Sequence, residues 1–180
     1  MKFFQMIDFT NLNYLKSGNK KQKRAYEVLE KYKVFEKLKA YSPVLAGTIP
    51  IEIDIENSDL DIICEIDLQF EEEFLDDIRS SRLIPTDAEV KVENMMINGE
   101  KSMVVNFMLE EFQVEIFGQD KPSLEQNAYR HMLAEYRILQ EQGEEFKHKI
   151  IELKKQGIKT EPAFGLLMEL ENPYEDLLKF

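Results

Sequence analysis

The sequence has very few of the residues that form disulfides or nitrogen- and sulfur-ligated metal centres. Its 180 residues include one cysteine, Cys64, and two histidines, His131 and His148. One cysteine cannot form an internal disulfide or a multi-cysteine zinc site, and this indicates a reducing compartment. Cys64 lies on the apolar phase of an alternating segment, so we predict that it fills the core rather than acts as a nucleophile.

Long apolar runs and glycine-rich nucleotide motifs are also missing. Gln5 and Asp8 interrupt the N-terminal apolar run too early for a signal-peptide core or a membrane span, so we expect a cytoplasmic protein without membrane contact. The seven glycines are scattered, with no G-x-G-x-x-G, P-loop or G-x-S-x-G motif. These absences weigh against dinucleotide-dependent dehydrogenases and serine hydrolases.

Basic residues are outnumbered by acidic ones, 23 to 35, which gives a net charge of −12 and a pI near 4.7. Such a surface does not attract long nucleic acids or anionic lipids over a distance. A polyanion such as a triphosphate therefore has to be held locally, by a few basic groups or a metal ion. The 43% of hydrophobic residues is typical of a globular protein, and the length suits one domain, with at most a small helical annex.

Hydrophobic periodicity predicts an α+β fold with a mixed β-sheet. The expected helices lie at about 18–40, 70–82, 123–143, 144–156, from 160 and from 173, and the expected strands at 44–47, 51–56, 59–68, 88–97, 102–109 and 111–117. Asn98-Gly99 predicts a hairpin turn, and Ser123 with Gln126 predicts a capping box. Residues 1–121 then form an α/β core, and residues 122–180 form a C-terminal helical segment. We expect the two to pack as one unit, but the pattern also allows a separate helical lobe.

Asp59 and Asp61 are the first candidates for chemistry, because residues two apart on a strand project from the same face. At about 6.6 Å and an effective dielectric near 20, two such anions repel by roughly 2.5 kcal/mol. A bound Mg²⁺ removes this repulsion, and carboxylate oxygens are its preferred ligands. The alternative is an acidic edge in a protein that is already rich in Asp and Glu.

Gly47 and Thr48 end a short apolar strand upstream of the two aspartates. Glycine lets the backbone approach a phosphate closely, and Thr48 offers a hydroxyl and an amide N–H to phosphate oxygens. A phosphate clamp beside a two-carboxylate cation site is the minimum equipment for moving a phosphoryl or nucleotidyl group.

These residues resemble the signature of the nucleotidyltransferase superfamily related to DNA polymerase beta. Ala46-Gly47-Thr48 and Asp59-Leu60-Asp61 match its first two parts, and Glu115 is the best candidate for its third carboxylate, with Glu111 and Glu65 as rivals. Nearly the whole chain is also similar to a small bacterial family known as a domain of unknown function within that superfamily. The stretches that carry this similarity are Leu15–Asn19, Gly47–Ile51, Ser58–Ile62, Glu115–Gln119, Gln126–His131 and Lys159–Phe164.

The resemblance implies a metal-dependent nucleotidyltransferase that acts on a small molecule or a protein side chain. It implies that Asp59, Asp61 and Glu115 are catalytic and bind Mg²⁺, and that Gly47, Thr48 and Ser58 hold a nucleoside triphosphate. Glu115 would also help to deprotonate the acceptor. Two alternatives stay open: a catalytically inactive nucleotide-binding or antitoxin-like module with the same fold, and an ordinary interaction domain with an incidental Asp-x-Asp.

The sequence departs from the superfamily pattern after Thr48, where residues 51–56 alternate like a strand instead of leading into a helix. Without a helix N-terminus at the phosphates, positive potential has to come from elsewhere. We expect it from Lys21 and Arg24 on the first helix and from Arg130, with Asn127 and His131 orienting the acceptor or a base. For each of these residues, an ordinary structural role is an equally good interpretation.

Overall fold

The computed structural model describes residues 7–97 and 99–180. Within them, its helices are α1 (Lys20–Lys31), α2 (Val34–Lys37), α3 (Glu71–Ser80), α4 (Asn127–Gln142), α5 (Glu144–Lys155), α6 (Thr160–Met168) and α7 (Pro173–Asp176), and its strands are β1 (Val44–Ala46), β2 (Leu60–Glu65), β3 (Lys91–Ile97), β4 (Glu100–Leu109) and β5 (Phe112–Gln119). Short 3₁₀ turns lie at Asn13–Ser17, Lys39–Tyr41, Leu68–Phe70, Ser123–Glu125 and Leu177–Lys179. In this part of the chain, no helix is long and apolar enough to cross a bilayer.

The five strands form one sheet in the order β1-β2-β5-β4-β3. β2 and β5 run parallel at its centre, and the other neighbours are antiparallel. The predicted α+β fold with a mixed sheet is therefore confirmed. The parallel pair is central because the chain leaves β2, crosses through α3, and returns by the β3-β4 hairpin before it enters β5.

Alternation along the strands gives the sheet two apolar faces. On one face, α1 and α3 cover residues such as Leu60, Ile62 and Ile116. On the other face, α4, α5 and α6 cover Ala46 and Ile63. The C-terminal helical segment therefore packs on the sheet. Asp61 and Glu115 alternate with the first set of residues, so they belong to the face that the C-terminal helices cover.

The predicted strand at 51–56 is wrong. These residues form turns, with Glu52 at φ +59°, although Ile51 and Ile53 are buried as the alternation suggested. An alternating pattern reports which side chains are buried and not which backbone hydrogen bonds form. In this segment side chains from other elements bind the carbonyl groups of Ile53, Ile55 and Glu56, so no neighbouring strand is needed.

Three local predictions also need correction. The first helix is interrupted after Lys31 and resumes at Val34, because Lys33 adopts a left-handed conformation at φ +54°. The capping box at Ser123 and Gln126 does not form, since the Ser123 hydroxyl donates to the Ser42 carbonyl at 2.6 Å and α4 begins only at Asn127. At the predicted hairpin turn, Gly99 has φ +81°, while Asn98 lies outside the described residues.

Candidate active site

Asp61 and Glu115 are direct partners on the two parallel strands at the centre of the sheet. Partnered residues on adjacent strands point to the same side, so both carboxylates lie under the C-terminal helices. Of the rival carboxylates, Glu65 is exposed at the far end of β2, and Glu111 is held by Arg24. Glu115 is therefore the carboxylate that the fold brings beside Asp61.

Asp59 precedes β2, which begins at Leu60, and it lines a different cleft from Asp61. The structure therefore places Asp61 within the strand and Asp59 just before it. Asp59 nevertheless interacts electrostatically with both Asp61 and Glu115. The three carboxyl groups therefore interact electrostatically with one another, although they line two different clefts.

Burial makes these carboxylates reluctant to ionise. Burial, followed by the charges of Glu115 and Asp59, raises the pKa of Asp61 to about 8. Burial and then the charge of Asp59 raise the pKa of Glu115, and burial alone raises that of Asp59. A carboxylate in this state favours either a proton or a cation, because each removes the unfavourable charge.

Gly47 closes over the Asp61 side chain. It has φ +79°, and a Cβ atom built on it would lie 2.0 Å from Asp61 Oδ2. Any L side chain would be strained there and would also collide with the carboxylate. Because Gly47 has no side chain, a group bound at the Asp61 carboxylate can lie in contact with the Gly47 backbone.

The hydroxyl groups of Thr48 and Ser58 join the two ends of the loop between β1 and β2. Thr48 Oγ1 donates to Ser58 Oγ at 3.2 Å, and Ser58 Oγ accepts from the Ile55 amide at 2.9 Å. The Ile53 amide donates back to the Thr48 carbonyl at 3.1 Å. Both hydroxyls predicted to hold phosphate thus also stabilise the loop in which they lie.

Side chains from outside the loop bind the carbonyl groups of residues 49–56. Lys21 Nζ donates to the Ile55 and Glu56 carbonyls, at 2.5 and 3.0 Å. Gln22 donates to the carbonyls of residues 49 and 50, and Lys154 Nζ donates to the Ile53 carbonyl at 2.7 Å. Side chains therefore fix this segment, which lacks the helix that the superfamily pattern has at this position.

The predicted site residues divide between two clefts. The α1 cleft has a volume of about 700 Å³ and the α4 cavity about 290 Å³. The α1 cleft is lined by Lys20, Lys21, Arg24, Glu56, Asn57, Ser58, Asp59, Met108, Glu111, Phe112 and Gln113. The α4 cavity is lined by Ala46, Gly47, Thr48, Asp61, Ile63, Glu115, Phe117, Ala128, His131, Met132, Glu135, Thr160 and Glu161.

The expected cationic residues are not grouped at one point. Arg24 lines the α1 cleft but donates to both Glu110 and Glu111, so carboxylates already neutralise it. Arg130 is exposed and donates to Asn127 Oδ1 at 3.4 Å, and neither residue lines either cleft.

His131 is buried, at 8% exposure, and faces the α4 cavity. Of the three candidate residues on α4, His131 thus lines the α4 cavity, while Asn127 and Arg130 bond to each other outside it. His131 Nε2 lies 2.7 Å from the Tyr174 carbonyl, which requires the proton on Nε2, and Nδ1 lies 3.6 Å from Glu161 Oε1.

Three charged residues near the α4 cavity were missed in the sequence. Glu135 is 4% exposed, Lys154 is 7% exposed, and Glu161 lies in the first turn of α6. Two of them could have been found in the sequence, because each is a charged residue at a position on the apolar face of its helix. Glu135 falls between Met132 and Ile138 on α4, and Lys154 follows Ile150 by one turn on α5.

The donor set at Asp61 and Glu115 suits a hard divalent cation. Both provide partly buried carboxylate oxygens whose mutual repulsion a cation removes, and Asp59 lies within electrostatic range of both. Among residues 7–97 and 99–180, however, no three His, Cys, Asp or Glu side chains converge into a ready-made metal site. The carboxylate oxygens of Asp61 and Glu115 are of the kind that Mg²⁺ prefers, and they are two ligands rather than a complete site.

Two solved structures share the architecture described above. The Cid1 poly(U) polymerase with Mg and 3'-dATP bound matches with a TM-score of 0.51 and 14% identity, over 76% of this chain and 41% of that chain. The GLD-2/RNP-8 complex matches with a TM-score of 0.51 and 12% identity, over 81% of this chain and 55% of that chain. This chain thus spans less than two thirds of each of these neighbours.

The chain therefore shares the fold of these neighbours, and the fold that the sequence resemblance implied is confirmed. The profile of the family described as Domain of unknown function (DUF4269) matches residues 27–180. The chain belongs to that family. No curated protein matches it in sequence.

Proposed function

We propose that this protein is a metal-dependent nucleotidyltransferase that moves a nucleotide from a nucleoside triphosphate to a small molecule or a protein side chain. The observation that carries the proposal is the direct pairing of Asp61 with Glu115 beneath Gly47. Two buried carboxylates beside a backbone that permits close approach suit a metal-bound phosphate chain. The relatives support a nucleotide as substrate, because the neighbouring structures are described as bound to Mg with 3'-dATP or to MgATP.

Each site residue has a stated role in this proposal. Mg²⁺, when bound, would neutralise the carboxylates and polarise the phosphate group under attack. Gly47 and the Thr48 amide face the phosphates. Glu115 accepts the proton of the acceptor hydroxyl as its oxygen forms a bond to the α-phosphorus, and the bond from that phosphorus to the bridging oxygen breaks to release pyrophosphate.

The two clefts allow the donor and the acceptor to approach from different sides. Asp59 faces the α1 cleft, whose volume is sufficient for a nucleoside, and Asp61 faces the α4 cavity, which is small. In the proposal the nucleoside occupies the α1 cleft near Ser58 and Lys20, and the acceptor enters by the α4 cavity. The net charge of −12 disfavours a long nucleic acid as acceptor.

Nucleotide binding measured by calorimetry tests the site directly. We expect binding of nucleoside triphosphate that requires Mg²⁺ and is lost in the double variant Asp59→Asn plus Asp61→Asn. The matched control is Asp87→Asn plus Asp120→Asn, which changes the same number of charges at residues outside both clefts. Equal binding by the two double variants would remove the site assignment.

A nucleotide-binding module without turnover is the second candidate. The observation that favours it is the lack of a converged three-carboxylate metal site in the described part of the chain. It predicts the same Mg²⁺-dependent binding but no pyrophosphate release. Pyrophosphate measured across a panel of nucleotides and hydroxyl-bearing acceptors separates the two candidates.

A further inference from the structure

We propose that the α4 cavity binds an organic ammonium group, so that the acceptor of this protein is a small amine-bearing molecule held by Glu135 and Glu161. This identification of the acceptor rests on the proposed nucleotidyltransferase function, whereas the binding of an amine can be tested without it.

The charges around the cavity are strongly unbalanced. Four carboxylates line it, those of Asp61, Glu115, Glu135 and Glu161. Lys154 is the cation that acts on Asp61 and Glu135, and its ammonium group already donates to the Ile53 carbonyl. A divalent ion at Asp61 and Glu115 would neutralise that pair only. The two carboxylates that the C-terminal helices contribute, Glu135 and Glu161, then remain available to a further cation in the cavity.

Glu135 gives an independent indication of a ligand. It is 4% exposed and lines the cavity, yet within the described residues its carboxylate has no hydrogen-bond donor and no cation at ion-pair distance. Burying a carboxylate without such partners is unfavourable, and a bound cation relieves this by removing the uncompensated charge. Its position on α4 lies between apolar residues, where an uncharged side chain would pack without that cost. The carboxylate is therefore explained by a partner that enters the cavity.

The arrangement of the carboxylates suits an amine better than a second metal ion. The proposed Mg²⁺ uses Asp61 and Glu115, and among residues 7–97 and 99–180 no three acidic side chains converge to form a further ion site around Glu135 and Glu161. An ammonium group donates three hydrogen bonds in different directions, as lysine does, and so can bridge carboxylates that stand apart. His131 Nδ1 and the Thr160 side chain also line the cavity and add polar groups around such a ligand.

Putrescine provides a simple probe, and the uncharged diol of the same chain length provides its matched control. Calorimetry on the full chain, with Mg²⁺ present and nucleotide absent, should detect binding of putrescine and none of the diol. Glu135→Gln keeps the shape of the side chain and removes its charge, and we expect at least about tenfold weaker putrescine binding. Glu161→Gln should weaken it in the same direction, and Glu171→Gln, an exposed change in the same helical segment, should not.

Three results would overturn the proposal: no putrescine binding to the wild-type chain, equal binding by Glu135→Gln and Glu171→Gln, or putrescine binding that occurs in chelator and is lost when Mg²⁺ is added. The last result would assign the carboxylates to the metal. Failure of the proposed function is distinguishable, because it would appear as lost nucleotide binding while the Glu135-dependent binding of putrescine persisted.

Discussion

The Gly47 backbone lies against the Asp61 side chain, and this contact is possible because glycine has no side chain. The backbone of Gly47 is in the left-handed region, and any Cβ there would overlap the Asp61 carboxylate. Two separate costs therefore oppose every substitution of Gly47. One is conformational and would apply in any such turn, and the other is a collision specific to the candidate site.

Gly47→Ala should abolish nucleotide binding and lower the free energy of unfolding by about 1–3 kcal/mol, because the alanine is strained and displaces the Asp61 side chain. Gly99→Ala is the matched control, since Gly99 has nearly the same φ, +81° against +79°, and a Cβ atom added to it would meet no other atom within 4 Å. The control should lose some stability and no binding. Denaturant unfolding and calorimetry on both variants measure this, and equal binding by the two would show that Gly47 acts only as a turn residue.

The loop between β1 and β2 is the element that sets the shape of the site. It has few backbone hydrogen bonds of its own, and side chains of α1 and α5 bind its carbonyl groups from opposite sides. The α5 residue is Lys154, which is buried, and burial lowers the pKa of its ammonium group to about 8. Its charge also acts favourably on Asp61 and Glu135.

Lys154→Met should destabilise the protein by about 1–3 kcal/mol, because the Ile53 carbonyl loses its donor and the nearby carboxylates lose a cation. Amides of residues 49–56 should then exchange faster with solvent. Lys155→Met is the matched control, since Lys155 is exposed and bonds only to Glu152 on the same helix. Hydrogen exchange followed by mass spectrometry compares the two, and unchanged exchange in the loop of Lys154→Met would rule out this role.

At the scale of the whole molecule, the C-terminal helices cover the face of the sheet that carries the acidic residues. The α4 cavity exists only because α4 and α6 cover the face that carries Asp61 and Glu115. Folding therefore removes several carboxylates from water, and the stability of the protein depends on their state. Burial raises the pKa of Glu135 well above its ordinary value, in the same direction as for Asp61 and Glu115.

The stability of the metal-free protein should fall as the pH rises from about 5 to 8. The folded pKa of Asp61, about 8, lies above its ordinary value of 3.8, so in this window the native state holds a proton that the unfolded state has released. Stability then decreases with pH, because the native state binds more protons. Lys154 keeps its charge over most of the range, since its folded pKa is also about 8.

Thermal unfolding midpoints measured in chelator across this range check the prediction. Asp61→Asn should flatten the profile, Asp120→Asn at an exposed position should leave it unchanged, and added Mg²⁺ should raise the midpoint of the wild-type chain most at the upper end. Parallel profiles for the wild-type chain and Asp61→Asn would contradict the raised pKa.

Much of the fold followed from residue patterns, while parts of the site did not. The alternation of apolar and polar residues around Asp61 and Glu115 predicted the strands and the face on which both side chains lie. This is possible because such alternation depends only on neighbouring residues in the chain. The same reasoning assigned residues 51–56 to a strand, since buried isoleucines alternate in turns as well. It also grouped residue 131 with residues 127 and 130, because the sequence of one helix does not reveal which of its polar residues a second layer covers.

The sequence by itself determined the order of the elements, the acidic character and the carboxylates of β2 and β5, because these depend on composition and on local period. Only the tertiary structure decided that Asp59 and Asp61 face different clefts and that Glu135 and Glu161 join Asp61 in one cavity. These residues lie on elements far apart in the chain. Their proximity depends on how the C-terminal helices pack on the sheet, and that packing is set by the whole apolar core rather than by any single segment.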